Sequence, residues 1–423
     1  MAIRIKIWHF LLLLWLVLLI LRLDMFYHLA ILAKEYLVLI ISEGFTLKPD
    51  LQLIDLWIEL AVFILMLPFG MYAVKHFSFM SGKLKFYNVF CIVLLYFFVF
   101  VPVLTKENPD NQKNLSVTRL LPPLSTVKVL CLNSVTEGSG SGFRSMSRRI
   151  INLSDAQRVF MDSMSYGDKT FIYQKGKKNE IEAGLVELNQ GKPVIKNKTF
   201  LFGSDELGRD IFVRVMYGIR TSLLTGICAS VISFIIGLLA GFLAGYYGGA
   251  ADVVLSRFAE SFLTFPVIFL VLLILALFGN SFGAVIFVLG ISGWMSLFKI
   301  VKSETIVIKN KEYFITSRML GLRKRQLIFS DLLPVLIIPV AANLVLQVCN
   351  VIMAESALGY LGLGVGESYP TWGSMIQSGQ EYIYQAWWLV FFPGVMIVLT
   401  VQAIRGLGNS ISCHYNTRLA NDK

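Results

Sequence analysis

Three carboxylates stand beside or within long apolar runs of this chain, Asp252, Glu260 and Glu355. An ionisable side chain at membrane depth is costly, so each is a candidate for function. The plainer assignment is an end-of-helix carboxylate, solvated or paired with a nearby base. Thiol and imidazole chemistry find less support. Cys91, Cys228 and Cys349 lie in apolar runs, Cys131 and Cys413 in polar ones, and none forms a CxxC or CxxH pair. His9, His28, His76 and His414 are equally dispersed, so neither a metal site nor a histidine-based catalyst is expected. The closest approach to a phosphate loop is GSGSGFRS (138–145), which lacks the lysine that such a loop needs.

Charge and apolar side chains are concentrated together in EYFITSRMLGLRKRQLIFSDLLP, from Glu312 to Pro334. Helical spacing places Ile315, Met319 and Leu322 on one side, mixed with Thr316, Ser317 and Arg318. Gly321 is free to take a positive φ, so a first helix ends there and the chain turns. The second run opens on Arg323, Lys324 and Arg325, offers Leu327, Ile328 and Leu332 for burial, and ends at Leu333 and Pro334. Two kinds of surface suit such a helix–turn–helix. Anionic lipid headgroups would meet its basic residues. Alternatively, a protein groove would take its apolar residues, with the charges around the rim.

The elements that must hold these groups are membrane helices. Of 423 residues, 56% are hydrophobic and 15% charged, where a soluble domain carries about a quarter charged residues. The mean hydropathy is +0.68. The net charge of +11 fits basic cytoplasmic loops, and the long apolar runs exclude a soluble nucleic-acid binder. Arg4 and Lys6 precede an apolar run that lacks a small-residue cleavage pattern, so residues 1–24 read as an uncleaved anchor. Residues 25–50 read as an interfacial or partly buried segment. Spans are predicted at 53–74 and 86–104, with Lys75, Lys83 and Lys85 placing the link between them in the cytoplasm. Residues 105–215 are polar and read as a small, partly ordered external domain containing a GSGSG linker (138–142). Five more spans follow at 221–246, 262–279, 283–302, 335–356 and 386–407, making eight. The loops at 247–261 and 303–334 then lie inside. Gly237, Gly241 and Gly245 share one face of their helix and would admit a neighbouring backbone. Pro266 and Pro339 are candidate kinks.

Residues 201–410 resemble the second permease subunit of bacterial dipeptide/oligopeptide-type and nickel-type ABC importers. Four stretches carry the likeness. LFGSDELGRDIFVRVMYGIRTSLLTG (201–226) is similar to the family's Gly-Thr-Asp-x-x-Gly-Arg-Asp block. The Glu312–Pro334 segment sits where the family has its EAA loop, with Gly321 and Leu333-Pro334 at matching spacing. ESALGYLGLGVGESYPTWGSMI (355–376) resembles the Leu-Gly-Leu-Gly and Trp-Gly signature, and WWLVFFPGVMIVLTVQAIRGLG (387–408) the last helix. The chain departs from the pattern at Ile315, Thr316 and Ser317, which stand in place of Glu-Ala-Ala. Glu312, one turn earlier, is the candidate substitute for the missing glutamate.

The resemblance implies an all-α polytopic fold, a five-helix type I importer (MetI-like) core preceded here by three extra spans and the external loop domain. The corresponding partition is 1–104, 105–215, 216–410 with a coupling loop at 303–334, and a cytoplasmic tail at 411–423. The implied protein is a multi-pass permease of the bacterial inner membrane, not an enzyme and with no cofactor of its own. The implied partners are a second permease subunit, two cytoplasmic ATPases carrying ATP and Mg, and an external solute-binding protein. A peptide substrate would bring a terminal amine, for which Glu355 or Glu260 is the candidate pathway contact. Asp205, Arg209 and Asp210 are expected to structure the approach to the first core span. An ion-coupled secondary transporter is the alternative, but the two pseudo-symmetric halves expected of one are not evident.

Overall fold

Four helices among the described residues are long and apolar enough to cross a membrane: Ile211–Tyr247, Phe282–Lys309, Pro339–Tyr360 and Trp388–Ser410. They belong to a computed structural model that describes residues 13, 15–17, 20, 86–105, 109–110, 112, 114–132, 158–165, 170–181, 186, 188–189, 192–264, 266–365 and 370–421. The anchor expected at 1–24 lies almost wholly outside the described residues, and the interfacial stretch at 25–50, the span at 53–74 and the GSGSG linker lie outside them altogether. The described chain divides into two compact units. One is built from Ile92–Arg220 and Gly379–Phe392, the other from Phe86–Cys91, Thr221–Ser378 and Pro393–Lys423.

In the first unit, residues 105–215, expected as a small, partly ordered external domain, contain short strands. After helix α1 (Phe86–Leu104), β1 (Ser125–Cys131) lies at the centre of an antiparallel sheet between β2 (Arg158–Met161) and β8 (Ile195–Phe200). Val129 pairs with Phe160 on one side and with Lys196 on the other. Val127 and Val129 point inward while Thr126 and Lys128 do not, as the two-residue period of a strand requires. They meet Val117, Phe160 and Phe200 in a small apolar core. A second sheet joins β3 (Ser163–Ser165), β4 (Thr170–Gln174) and β5 (Lys177–Ile181), and β6 (Leu188–Asn189) pairs with β7 (Lys192–Pro193).

The SDELGRD block closes this unit. Gly203, at φ +82°, brings the backbone so close to Leu121 and Trp388 that a Cβ would sit 2.5 Å from Leu121 O. Trp388 Nε1 donates to Ser204 O at 3.2 Å. Asp205 Oδ1 accepts from the backbone of Leu207 and Arg209, and its Oδ2 accepts from Arg209 Nε at 2.6 Å. Asp210 caps the next helix by accepting from Phe212 N, and it pairs with Lys198 at 3.2 Å. These three side chains are spent on the local fold.

The second unit is helical. It contains most of α2 (Ile211–Tyr247), then α3 (Gly249–Thr264), α4 (Val267–Phe278), α5 (Phe282–Ser292), α6 (Trp294–Lys309), α7 (Glu312–Met319), α8 (Leu333–Tyr360), and most of α9 (Trp372–Gln380) and of α10 (Trp388–Asn421). Two expected spans are revised. At 12 residues α4 rises about 18 Å, short of the ~30 Å of a hydrocarbon core. Pro266 starts it and Gly279, at φ +83°, ends it. The span expected at 283–302 runs from Phe282 to Lys309 but breaks at Gly293 into α5 and α6. Pro339 is accommodated inside α8.

The glycine face forms a seam. A Cβ on Gly237, Gly241 or Gly245 would lie 2.7–2.8 Å from the carbonyl oxygens of Trp294, Phe298 and Lys302 respectively. Both helices advance four residues per contact, so α2 runs parallel to α6 with backbone against backbone. Lys309 fixes the end of the seam. Its Nζ donates to Gly245 O at 3.3 Å and Tyr246 O at 2.5 Å, which satisfies the last carbonyls of α2.

Candidate functional site

The Glu312–Pro334 segment folds as a helix, a glycine turn and a return helix that widens toward its end. Helix α7 ends in a Schellman motif. Gly321 N–H donates to Arg318 O at 3.1 Å and Leu322 N–H reaches Ser317 O at 3.4 Å, with Gly321 at φ +77°. The chain restarts where the Gln326 side chain accepts from Arg323 N at 3.2 Å. Leu327–Leu332 then wind as a π-helix, with Leu333 N–H donating five residues back to Ile328 O. Pro334 explains the widening: it lacks an N–H, and its ring would crowd the carbonyl four residues earlier in an ordinary helix.

Burial splits the segment into an anchor and a tip. Phe314 (3% exposed), Leu327 and Leu332 lock into a cluster with Leu297, Val301, Ile308, Leu336 and Val340. Met319 (83% exposed) and Leu320 (77%) stand free at the turn, with Ile315, Leu322 and Phe329 also exposed. Glu312, Thr316, Arg318, Arg323, Lys324 and Arg325 are exposed around them, while Ser317 and Leu333 are half-buried and Pro334 is exposed. The Arg325 guanidinium lies 5.9 Å from the Phe329 ring centre. Burial, and then the Asp331 carboxylate, push the Tyr313 hydroxyl above its ordinary pKa. Sequence reasoning identified the exposed face of α7 but did not single out Phe314 as its anchor. The available signal was its size: in a two-turn helix the bulkiest apolar side chain contributes most of the burial.

The carboxylates separate. Glu355, on α8, is fully buried, and its Oε2 accepts from Ser222 Oγ on α2 at 3.3 Å. The start of α9 lies nearby. Thr371 caps it, accepting from Ser374 N at 3.3 Å, and Gly373 lies so close to α8 that a Cβ would meet Ser356 O at 2.4 Å. Glu355 therefore sits at the meeting of three helices. Glu260 does not join it: on α3 it is exposed and pairs with Arg257 at 3.2 Å, one turn away. Asp252 pairs with Lys302 of α6, whose Nζ also donates to Ser256 Oγ at 2.8 Å. The Lys302 and Ser256 hydrogen bonds hold the Asp252 carboxyl below its ordinary pKa. The roles of Lys302 and Lys309 were not read from the sequence, although basic residues late in a helix suit a neighbouring helix terminus.

A family model, Binding-protein-dependent transport system inner membrane component, matches residues 237–409, which include the Glu312–Pro334 segment, Glu355 and the three seam glycines. The dipeptide transport system permease protein DppC of Bacillus subtilis is 38% identical over 211 residues, 50% of this chain and 66% of its own. The oligopeptide transport system permease protein OppC of Haemophilus influenzae is 35% identical over 50% of this chain and 68% of its own. OppC of Escherichia coli K12 is 36% identical over 50% and 70%. The chain thus spans about two thirds of the length of these relatives. Among solved structures, a chain of the inward-facing MetNI methionine ABC transporter is similar over 48% of this chain and 97% of its own, at 18% identity and a TM-score of 0.40.

Proposed function

This chain belongs to the family of binding-protein-dependent transport system inner membrane components, and on that premise we propose that it is a permease subunit of an ATP-driven ABC importer for dipeptides, oligopeptides or a related small solute. It acts in a bacterial inner membrane with a second permease subunit, two cytoplasmic ATPases and an external solute-binding protein. ATP and Mg are used by the ATPases, and this chain carries the solute.

The observation that carries the reading is the division of labour within Glu312–Pro334. A tip formed by Met319 and Leu320, ringed by Arg318 and Arg323–Arg325, is exposed for a partner. Beneath it, Phe314, Leu327 and Leu332 are fastened to α6 and α8. Force applied at the tip therefore reaches two membrane helices. For that to change the facing of the path, the ATPases must bind the segment differently in the two states, since equal binding shifts nothing. Gly321 sets the turn, and Glu312 takes the polar contact that Ile315 does not supply. Glu355 holds α8 against α2 and α9.

The test is co-purification. Tagged protein, mildly solubilised from its own cells, is expected to bring down an ATPase and a second permease. Recovery of neither overturns the importer reading.

A further inference from the structure

Phe282–Lys309 is long enough to cross the membrane as one span, yet it is built as two helices that meet at Gly293. Each half belongs to a different apolar cluster. On α5, Val285, Val288 and Leu289 pack with Val271 and Leu275 of α4 and with Val351 of α8. On α6, Leu297, Val301 and Ile308 pack with Phe314 and Leu327 of the docking segment and with Val340 of α8. The boundary between the clusters is polar. Helix α2 passes it at Ser233, between Ala229 of the first cluster and Phe234 and Leu238 against the second, and α8 passes it at Gln347. Side-chain donors gather there on backbone carbonyls: Ser233 Oγ donates to Gly290 O at 2.6 Å, Ser292 Oγ to Leu289 O at 3.0 Å and Gln347 Nε2 to Gly293 O at 3.5 Å. A Cβ at Gly293 would lie 2.1 Å from Gln347 Nε2 and 2.6 Å from Ser233 Oγ, so these two side chains fill the space that a larger residue would take. A cavity of ≈ 290 Å³ opens at the same level, beside Ser292, Gly293, Gln347 and Asn350.

Close-packed apolar cores move as bodies rather than deform, and the change is absorbed by a few residues at element ends. Gly293 ends α5 and starts α6 at φ −94° and ψ −10°, and without a Cβ it turns from there at little steric cost. Helix α6 is held to α2 along the glycine seam, whereas α5 meets α2 beyond the seam, at Gly290, where a Cβ would lie 2.7 Å from Ile232 Cβ. We propose that Gly293 is a hinge on which α4 and α5 swing as one body against the α2–α6 pair, with Ser233 and Gln347 as positioning residues that hold it in the present setting. The cavity gives the swing its room. The hydroxyl and carboxamide donors keep the carbonyls at the break bonded inside the membrane, where an unmet carbonyl is costly. The push that drives the swing, relayed from the α7 tip, rests on the importer reading; the hinge itself does not.

Hydrogen exchange of the full chain in lipid nanodiscs tests the hinge by itself. Amides of Trp294–Leu297 are expected to exchange faster than those of Gly237–Gly241, which face them across the seam. Ser233→Ala with Gln347→Ala should speed them by about a further tenfold, as two lost hydrogen bonds would, and Gln347→Asn in place of Gln347→Ala should restore part of the protection. Equal protection of the two segments, or no effect of the double variant, overturns the hinge. The swing is tested by joining α2 to α5 through Ile232→Cys with Gly290→Cys, whose Cβ positions come to disulfide distance with a shift of about 1 Å, in a complex recovered with its ATPases. ATP hydrolysis is expected to fall by about tenfold while the disulfide stands and to return on reduction with dithiothreitol, against the native chain treated alike. Hydrolysis unchanged by the disulfide overturns the swing. Recovery of no ATPase overturns the importer reading instead, and the exchange result then decides the hinge.

Discussion

Gly241 and Asp252 show how much a single residue decides here. Gly241→Leu puts side-chain volume where a Cβ alone would lie 2.7 Å from both Phe298 O and Val301 Cβ. The seam must open, at a cost of about 1–3 kcal/mol by analogy with overpacked cores. A lower unfolding temperature in detergent is the expected reading, and an unchanged one would contradict the seam. Asp252 makes a pH prediction. Its folded pKa lies below the unfolded one because Lys302 and Ser256 bond its charged form. The tie between α3 and α6 is therefore complete above the unfolded value of about 4 and is lost as pH falls through the lower, folded value. The stability gap between the native chain and Asp252→Asn should be constant from neutrality down to about pH 5 and shrink in stronger acid. The glycine face was legible in the sequence because four-residue spacing has one geometric meaning. The Asp252–Lys302 pair was not, since no local rule joins positions fifty residues apart.

At the scale of elements, the anchor and the tip of the α7 turn should respond differently to mutation. Phe314→Ala removes a buried ring and is expected to cost about 3–5 kcal/mol, read as earlier thermal unfolding. Met319→Ala with Leu320→Ala should leave stability unchanged, because both side chains are exposed, yet weaken ATPase recovery in pull-down. Equal loss of stability in both variants would refute the division. Gly321→Pro, or charge reversal at Arg323–Arg325, should abolish uptake while membrane insertion continues. The turn itself was readable, since a positive φ within a basic amphipathic run calls for glycine. The π-helix before Pro334 was not, because proline signals a disturbance of the helix without saying how the preceding turn absorbs it. The strands of the first unit were hidden by their length: runs of two to seven residues, rich in lysine and serine, resemble a polar loop until their pairing is seen.

For the whole molecule, the proposed docking of ATPases on the basic rim predicts that their recovery depends on ionic strength. Raising salt from 0.1 to 1 M shortens the screening length from about 10 Å to 3 Å, so on that proposal ATPase recovery should fall while recovery of a second permease, packed within the membrane, should not. Membrane character and the family core were legible from composition and from motifs in order. The count of crossings was less so, because hydropathy measures apolarity and not the rise of a helix, as the short α4 shows. One further consequence follows from the parallel contact of α2 and α6. Each glycine sits over a carbonyl of its partner, and a slide by one residue would drive side chains into the backbone. The two helices are thus keyed like a toothed rack, and whatever displaces α7 must carry them together as one beam.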